Sequence, residues 1–446
     1  MSFPRYESYK DSGIEWLGEV PGHWELKKLK HNLRLLTEKT ERRVNPVALE
    51  NIESWSGRFI QTATTFEGEG VAFEPGDILF GKLRPYLAKA YLAECAGEAV
   101  GDFHVIRPIK DTNSRFSQYQ ILNREFIAIV DSSTFGAKMP RVSWDFLSNM
   151  VLTAPPFPEQ QTIATFLDRE TAKIDELIAE QQRLIELLKE KRQAVISHAV
   201  IKGLNPDAPM KDTGIEWLGE VPEHWEVKRM RFIADVQGGI AKGKNYSGNE
   251  TIEVPYLRVA NVQDGFLNLE NVTTIEILAS ELDRYRLRVG DVLMNEGGDY
   301  DKLGRGHVWN GEIEPCIHQN HVFAVRPKAV GSKWLNEITG SDYAQFYFMT
   351  RSKQSTNLAS ISSTNIMELP VVLPLLLEQE QILALLVDQR EKFDNLTAEA
   401  NRAIELLKER RTALISAAVT GKIDVRGLVN APHTEETRHV CHSSSH

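Results

Sequence analysis

Two short fragments carry the residue types of adenine methyl transfer. "FEGEG", Phe66 to Gly70, fits the F-x-G-x-G loop that cradles S-adenosylmethionine, and "APPF", Ala154 to Phe157, fits the D/N-P-P-Y/F box at every position but the first. That first position does the chemistry: an Asn or Asp there accepts a hydrogen bond from the target amine, and Ala154 has no acceptor. "FEGEG" follows a polar "TATT" and precedes "VAFEPGD", so it lacks the strand and the helix N-terminus that would hold an anionic cofactor. No G-x-x-x-x-G-K-[ST], H-E-x-x-H or G-x-S-x-G pattern is present. His104, His307, His318 and His321 offer imidazoles, but "HQNH" on a strand puts its two histidines on opposite faces. The expectation is a chain without catalytic residues, metal or cofactor.

A second chemistry fits better. Glycine-rich and polar loops present residues that can read base edges or grip phosphates, since Arg and Lys pair guanine or phosphate and Asn and Gln pair adenine. In the first half these are Lys82, Arg84, Tyr86 and Lys89 of "GKLRPYLAK", and Lys138 and Arg141 of "STFGAKMPRVS". In the second half "QGGIAKGKNYSG" gives Lys242, Lys244, Asn245 and Tyr246, and "LRVANVQDG" gives Arg258, Asn261 and Gln263. "KLGRGHVW" adds Lys302 and Arg305, and "SISSTNIME" adds Ser362, Thr364 and Asn365. Charge argues the other way. The chain carries a net charge of -10, and residues 31–155 hold 14 Lys and Arg against 15 Asp and Glu, residues 232–374 13 against 17. Positive charge must therefore gather on one face, with a partner supplying part of the phosphate neutralisation.

The elements that position these loops occur twice. "KDSGIEWLGEVPGHWELKKLK" (Lys10 to Lys30) returns 201 residues later as "KDTGIEWLGEVPEHWEVKRMR" (Lys211 to Arg231). "IELLKEKRQAVISHAV" (Ile185 to Val200) returns at an offset of 219 as "IELLKERRTALISAAV" (Ile404 to Val419), and a Glu-Gln pair lies upstream of each, in "PFPEQQTI" and "LLLEQEQI". From Ile163 apolar residues recur at helical spacing without Gly or Pro until Gly203, and from Ile382 likewise until Gly421. About 38 residues at 1.5 Å each make a rod of roughly 57 Å, which outruns a small domain and wants its copy as partner. Between the shared pieces, 32–154 and 232–374 read as short β-type runs punctuated by Gly, with one apolar helical stretch each.

At 446 residues two domains are the default. No apolar run approaches the roughly 20 residues that span a bilayer, and "MSFPRYESYK" has no secretory h-region, so no membrane is expected. Cys95, Cys316 and Cys441 give neither metal spacing nor a disulfide framework and suit a cytoplasmic protein.

The order flank, variable domain, long helix, flank, variable domain, long helix resembles the specificity subunit of type I restriction-modification enzymes. The resemblance is carried by the two "GIEWLGEVPxHWE" flanks, the "GDIL" and "GDVL" turns at Gly76 and Gly290, the "PPFPEQ" and "PLLLEQ" helix starts and the doubled "IELLKExR" helices. It covers nearly the whole chain up to Gly421. It implies an α+β fold: two mixed α/β target recognition domains in pseudo-two-fold repeat, separated by two long antiparallel helices forming a coiled-coil spacer. The segments would be 1–158 (first recognition domain), 159–202 (central helix), 203–377 (second recognition domain), 378–421 (C-terminal helix) and 422–446 (a disordered tail). It further implies a non-catalytic subunit that reads a bipartite asymmetric site in double-stranded DNA. Its helices would dock methyltransferase subunits, two of them, and bring in restriction subunits through the complex. Two alternatives stand beside it: a single-chain adenine methyltransferase built on "FEGEG" and "APPF", and a coiled-coil adaptor with no DNA role. Trp16, Trp24, Trp217 and Trp225 in the flanks are expected to anchor packing against the helices.

Overall fold

In a computed structural model the described residues are 3–40, 45–62, 69–136, 138–243, 246, 249–298, 303–304, 306–354 and 359–428. They form two compact units, residues 1–182 with 401–446 and residues 183–400. Each long helix is divided between the units near its middle.

The repeated flanks are repeated because each builds the same device. In the first unit Tyr9–Asp11 pairs with Glu19–Pro21, Asp11 accepts the Gly13 N–H, and the Lys10 ammonium donates to the Trp24 carbonyl. In the second, Met210–Asp212 pairs with Glu220–Pro222, Asp212 accepts from Gly214, and Lys211 donates to the Trp225 carbonyl. The device then locks onto a helix start. The buried Trp24 indole donates to Glu159 Oε1 at 3.1 Å and His23 Nε2 bonds Glu159 Oε2 at 2.8 Å. Trp225 and His224 meet Glu378 correspondingly, both at Oε2 and each at 2.9 Å. Each of these carboxylates also sits in the first helical turn, where the macrodipole favours negative charge. The neighbouring glutamines tie the entry: Gln160 donates to the Pro155 carbonyl and accepts the Asn113 N–H, and Gln379 donates to the Pro374 carbonyl.

The first variable segment folds into a four-stranded antiparallel sheet in the order Leu33–Leu36, Phe103–Pro108, Ile78–Gly81, Ala90–Leu92. A second four-stranded sheet is built from residues 39–40, 70–73, 97–100 and 46–47. Ser114–Ile121, Arg124–Ser132 and Trp144–Asn149 are helices, and Val151–Ala154 closes the segment by pairing with flank strand Glu25–Lys28. The second segment repeats the first sheet as Ala234–Gly238, Val322–Pro327, Val292–Asn295, Gly306–Val308, and closes with Pro370–Leu373 on Glu226–Arg229. The "GDIL" and "GDVL" turns are explained by one buried pair in each unit. Asp77 takes two 2.7 Å hydrogen bonds from Arg107 and caps the Glu74 N–H; Asp291 does the same with Arg326 and the Arg288 N–H.

The long helices run Phe157–Lys202 and Leu376–Val419, 46 and 44 residues. Each begins ahead of the first residue of its apolar stripe, and in the first helix Pro158 is tolerated in a first turn where no intrahelical N–H bond is lost. In the first unit Ile163, Phe166, Leu167 and Ile174 pack with Leu414, Ile415, Ala418 and Val419, and Asp175 pairs with Arg411 at 3.0 Å. In the second, Ile196, Ala199 and Val200 share a core with Ile382 and Leu386, and Arg192 meets Asp394 at 2.7 Å. Within each unit the two helices are antiparallel. Gly203 and Gly421 end them at positive φ, and a Cβ at Gly421 would strike the Pro21 ring.

The disordered tail expected from residue 422 does not start there: residues up to 428 pack on the first unit. Val425 is fully buried among Tyr6, Trp24 and Phe166, and Asp424 N–H donates to the Pro4 carbonyl. Residues 429–446 lie outside the described residues.

Candidate nucleic-acid interface

In the first unit five of the six candidate residues come together. The strand Ile78–Gly81 runs into the turn Pro85–Leu87, and the segment around 135–141 is laced to it. Lys82 N–H donates to the Asp102 carbonyl, Val142 N–H to the Lys82 carbonyl, and Arg84 N–H to the Pro140 carbonyl, while Phe135 and Arg141 exchange both backbone hydrogen bonds. Arg141 grips the Asp102 carboxylate through Nε at 3.1 Å and Nη2 at 2.8 Å, and Lys82 Nζ lies 3.6 Å from the same group. Arg141, with Lys82 behind it, holds the Asp102 carboxyl below the usual carboxylate range. Beneath, the buried His104 bonds the Val142 carbonyl through Nε2; burial pushes its pKa down, so the neutral ring donates.

On this frame Arg84, Tyr86 and Lys138 are exposed, and Arg84 and Lys138 have no side-chain partner among the described residues. Arg84 is held at φ +50°, a conformation that persists in a non-glycine residue only where the surroundings enforce it. The sixth candidate, Lys89, points elsewhere. Its ammonium donates to the Leu49 carbonyl at 2.7 Å, and partial burial lowers its pKa, so it props a turn.

In the second unit the same backbone frame carries different side chains. Glu296 N–H donates to the His321 carbonyl and Ile361 N–H to the Glu296 carbonyl, as at Lys82 and Val142. The sheet registers align Lys82 with Glu296 and Asp102 with His321. The Lys82–Asp102 pair is thus replaced by a Glu296–His321 pair at 2.7 Å with its chemistry reversed. Lys353 pairs with Ser360 where Phe135 pairs with Arg141.

Several candidates of the second half are committed to the fold. Asn261 is 3% exposed; its Oδ1 accepts the Arg258 N–H and its Nδ2 donates to the Asn268 and Asn271 carbonyls, so no edge is left for a base. Asn51 makes the corresponding turn in the first unit by accepting the Ala48 N–H. Asn365 donates to the Arg351 carbonyl, Ser362 caps the helix Ser363–Met367, and Tyr246 donates to Glu281. Arg258 donates to Asn271 and Gln263 to the Ala260 carbonyl. Lys242 and Thr364 are exposed. Lys244, Asn245, Lys302 and Arg305 lie outside the described residues, as does most of "FEGEG". "APPF" is structural: Ala154 ends the strand paired with Glu25 and Phe157 opens the long helix.

Sequence reasoning missed Asp102, Glu296 and His321. Setting "GDFHVIRP" against "NHVFAVRP" exposes the Asp102-to-His321 change, but their partners lie 20 and 25 residues away and only the sheet register brings them near. Among the described residues no three His, Cys, Asp or Glu side chains gather as a metal site, and no helix is long and apolar enough to cross a membrane.

Residues 77–187 match the family model described as type I restriction modification DNA specificity domain. That span takes in the frame around Lys82 and Asp102. That part of the chain matches the specificity domain of type I restriction-modification enzymes. It is similar to the type I restriction enzyme MjaX specificity subunit of Methanocaldococcus jannaschii, 27% identical over 207 residues, covering 46% of this chain and 47% of that protein. It is also similar to the EcoKI specificity subunit of Escherichia coli K12, 23% identical over 341 residues, 74% of this chain and 69% of that one. The matched part thus spans about half the length of the first relative. A solved chain of a type I R-M system superposes with a TM-score of 0.65 at 18% identity, covering 90% of this chain and 98% of that one, which extends the fold likeness over both units.

Proposed function

We propose that this specificity subunit reads a bipartite, asymmetric site in double-stranded DNA, one part with each unit. The paired long helices set the spacing and seat two methyltransferase subunits, through which restriction subunits join. The carrying observation is the doubled frame: the same backbone lacing holds Lys82, Asp102 and Arg141 in one unit and Glu296 and His321 in the other. A constant frame with exchanged polar side chains suits two different half-sites, because base edges are distinguished by donor and acceptor pattern. Arg84, Tyr86 and Lys138 are the contacts assigned in the first unit, and Lys242 and Thr364 those in the second. Lys82 and Arg141 hold the first platform through Asp102. The complex works in the cytoplasm, and target adenines are extruded into the methyltransferase.

The test is co-expression with the neighbouring modification subunit in a host lacking adenine methylation, followed by single-molecule mapping of methylated adenines. An interrupted asymmetric motif that needs both chains supports the proposal. Methylation by this chain alone, or the same motif from the modification subunit alone, would overturn it.

A further inference from the structure

The laced segments of the first unit expose apolar side chains beside their cations. Phe135 is 63% exposed, Met139 50% and Tyr86 45%. Single exposed apolar residues are ordinary, but these three sit on two segments tied to each other by the Arg84 to Pro140 hydrogen bond and the Leu83–Arg141 bridge. The base of the arrangement is held by hydrogen bonds. Arg141 is clamped to Asp102, His104 and Lys82 bond Val142 from both sides, and Phe135 is paired to Arg141. Arg84 and Lys138 flank them with positive charge that is unpaired among the described residues.

We propose that Phe135 and Met139 form an apolar wedge that enters a base step of the half-site bound by the first unit, unstacking and bending the duplex there. The inference rests on the reading of this unit as a DNA reader. Proteins that insert apolar side chains between bases surround them with cations that hold the flanking phosphates, and kink the duplex by roughly 20–90°. Specificity then includes the deformability of a step that no side chain reads directly. The wedge belongs to the first unit: Lys353 stands where Phe135 stands, so the second half-site serves as an internal control.

The experiment uses the complex of this chain with its modification subunit and duplexes carrying the mapped site, with 2-aminopurine placed at successive positions in both half-sites. Wild-type complex is expected to raise fluorescence at the extruded adenines and at one further step in the first half-site. F135A and M139A are expected to lose that further signal and reduce the bend in a permutation gel assay while keeping the adenine signals. K138A is expected to weaken binding and flatten its salt dependence while keeping the further signal at saturation. Specific binding with signals only at the extruded adenines, or a further signal unchanged in F135A and M139A, would overturn the wedge and leave the DNA-reading role standing. Loss of specific binding by wild-type complex would overturn both.

Discussion

His318 has no solvent exposure, and Nδ1 lies 2.6 Å from the Val322 carbonyl. Burial pushes its pKa down to about 4, so the ring is neutral and donates through Nδ1, while Nε2 has no partner among the described residues. An unfolded histidine takes up a proton near pH 6.5. Between that value and about 4 the unfolded chain binds a proton that the folded one refuses, so stability falls as pH falls. From pH 7 to pH 5 the second unit is expected to lose about 2 kcal/mol against urea. His318→Gln should remove that part of the slope, and an identical slope in the variant would show that the ring does not cause it. Residue-scale chemistry of this kind is only half legible in the sequence. The pattern argues against a metal at His318 and His321, but nothing local tells that one is sealed in the core and the other faces Glu296. Asn261 is ambiguous for a related reason: an amide suits adenine and a tight turn equally, and its burial decides for the turn.

At the scale of elements the repeats are the most legible feature, because the two offsets, 201 and 219, by themselves separate flank from helix. The helices follow from an apolar stripe without Gly or Pro. What the stripe does not carry is how the helices begin and what crosses between them. Glu159 and Glu378 look like ordinary helix-start charges, yet each is held by a Trp and a His more than 130 residues earlier. Arg411 is a similar case, buried between helices and bonded to Asp175 Oδ1 and to the Trp55 carbonyl, each at 3.0 Å. Removing one member of a buried pair leaves an uncompensated charge, whereas replacing both by apolar groups is close to neutral. Arg411→Ala is therefore expected to destabilise the first unit by about 3 kcal/mol, read from the urea midpoint. The double change Asp175→Leu with Arg411→Met should recover most of that loss, and a double variant as unstable as the single one would mean that the bond to Trp55 carries the effect.

For the whole molecule the net charge is -10, and among the candidate cations Lys82, Lys89 and Arg141 are paired within the fold. On the proposed reading, affinity for DNA would come largely from the assembled complex, since each phosphate neutralised contributes to the salt-dependent part of binding. What this chain would contribute is geometry. The two long helices are antiparallel within each unit, so a change of length in one alone breaks the facing pairs, whereas equal insertions in both preserve them. Seven residues inserted after Gln182 and seven after Ala400, where the units divide, add about 10.5 Å of helix and return nearly to the same face. If the helices set the distance between half-sites, the methylated motif should keep both halves and lengthen its gap by about three base pairs, at roughly 34 Å per turn of ten. Insertion in one helix only should abolish modification. The mapping of methylated adenines reads this directly, and a double insertion that modifies the original motif with the original gap would refute the helices as the ruler.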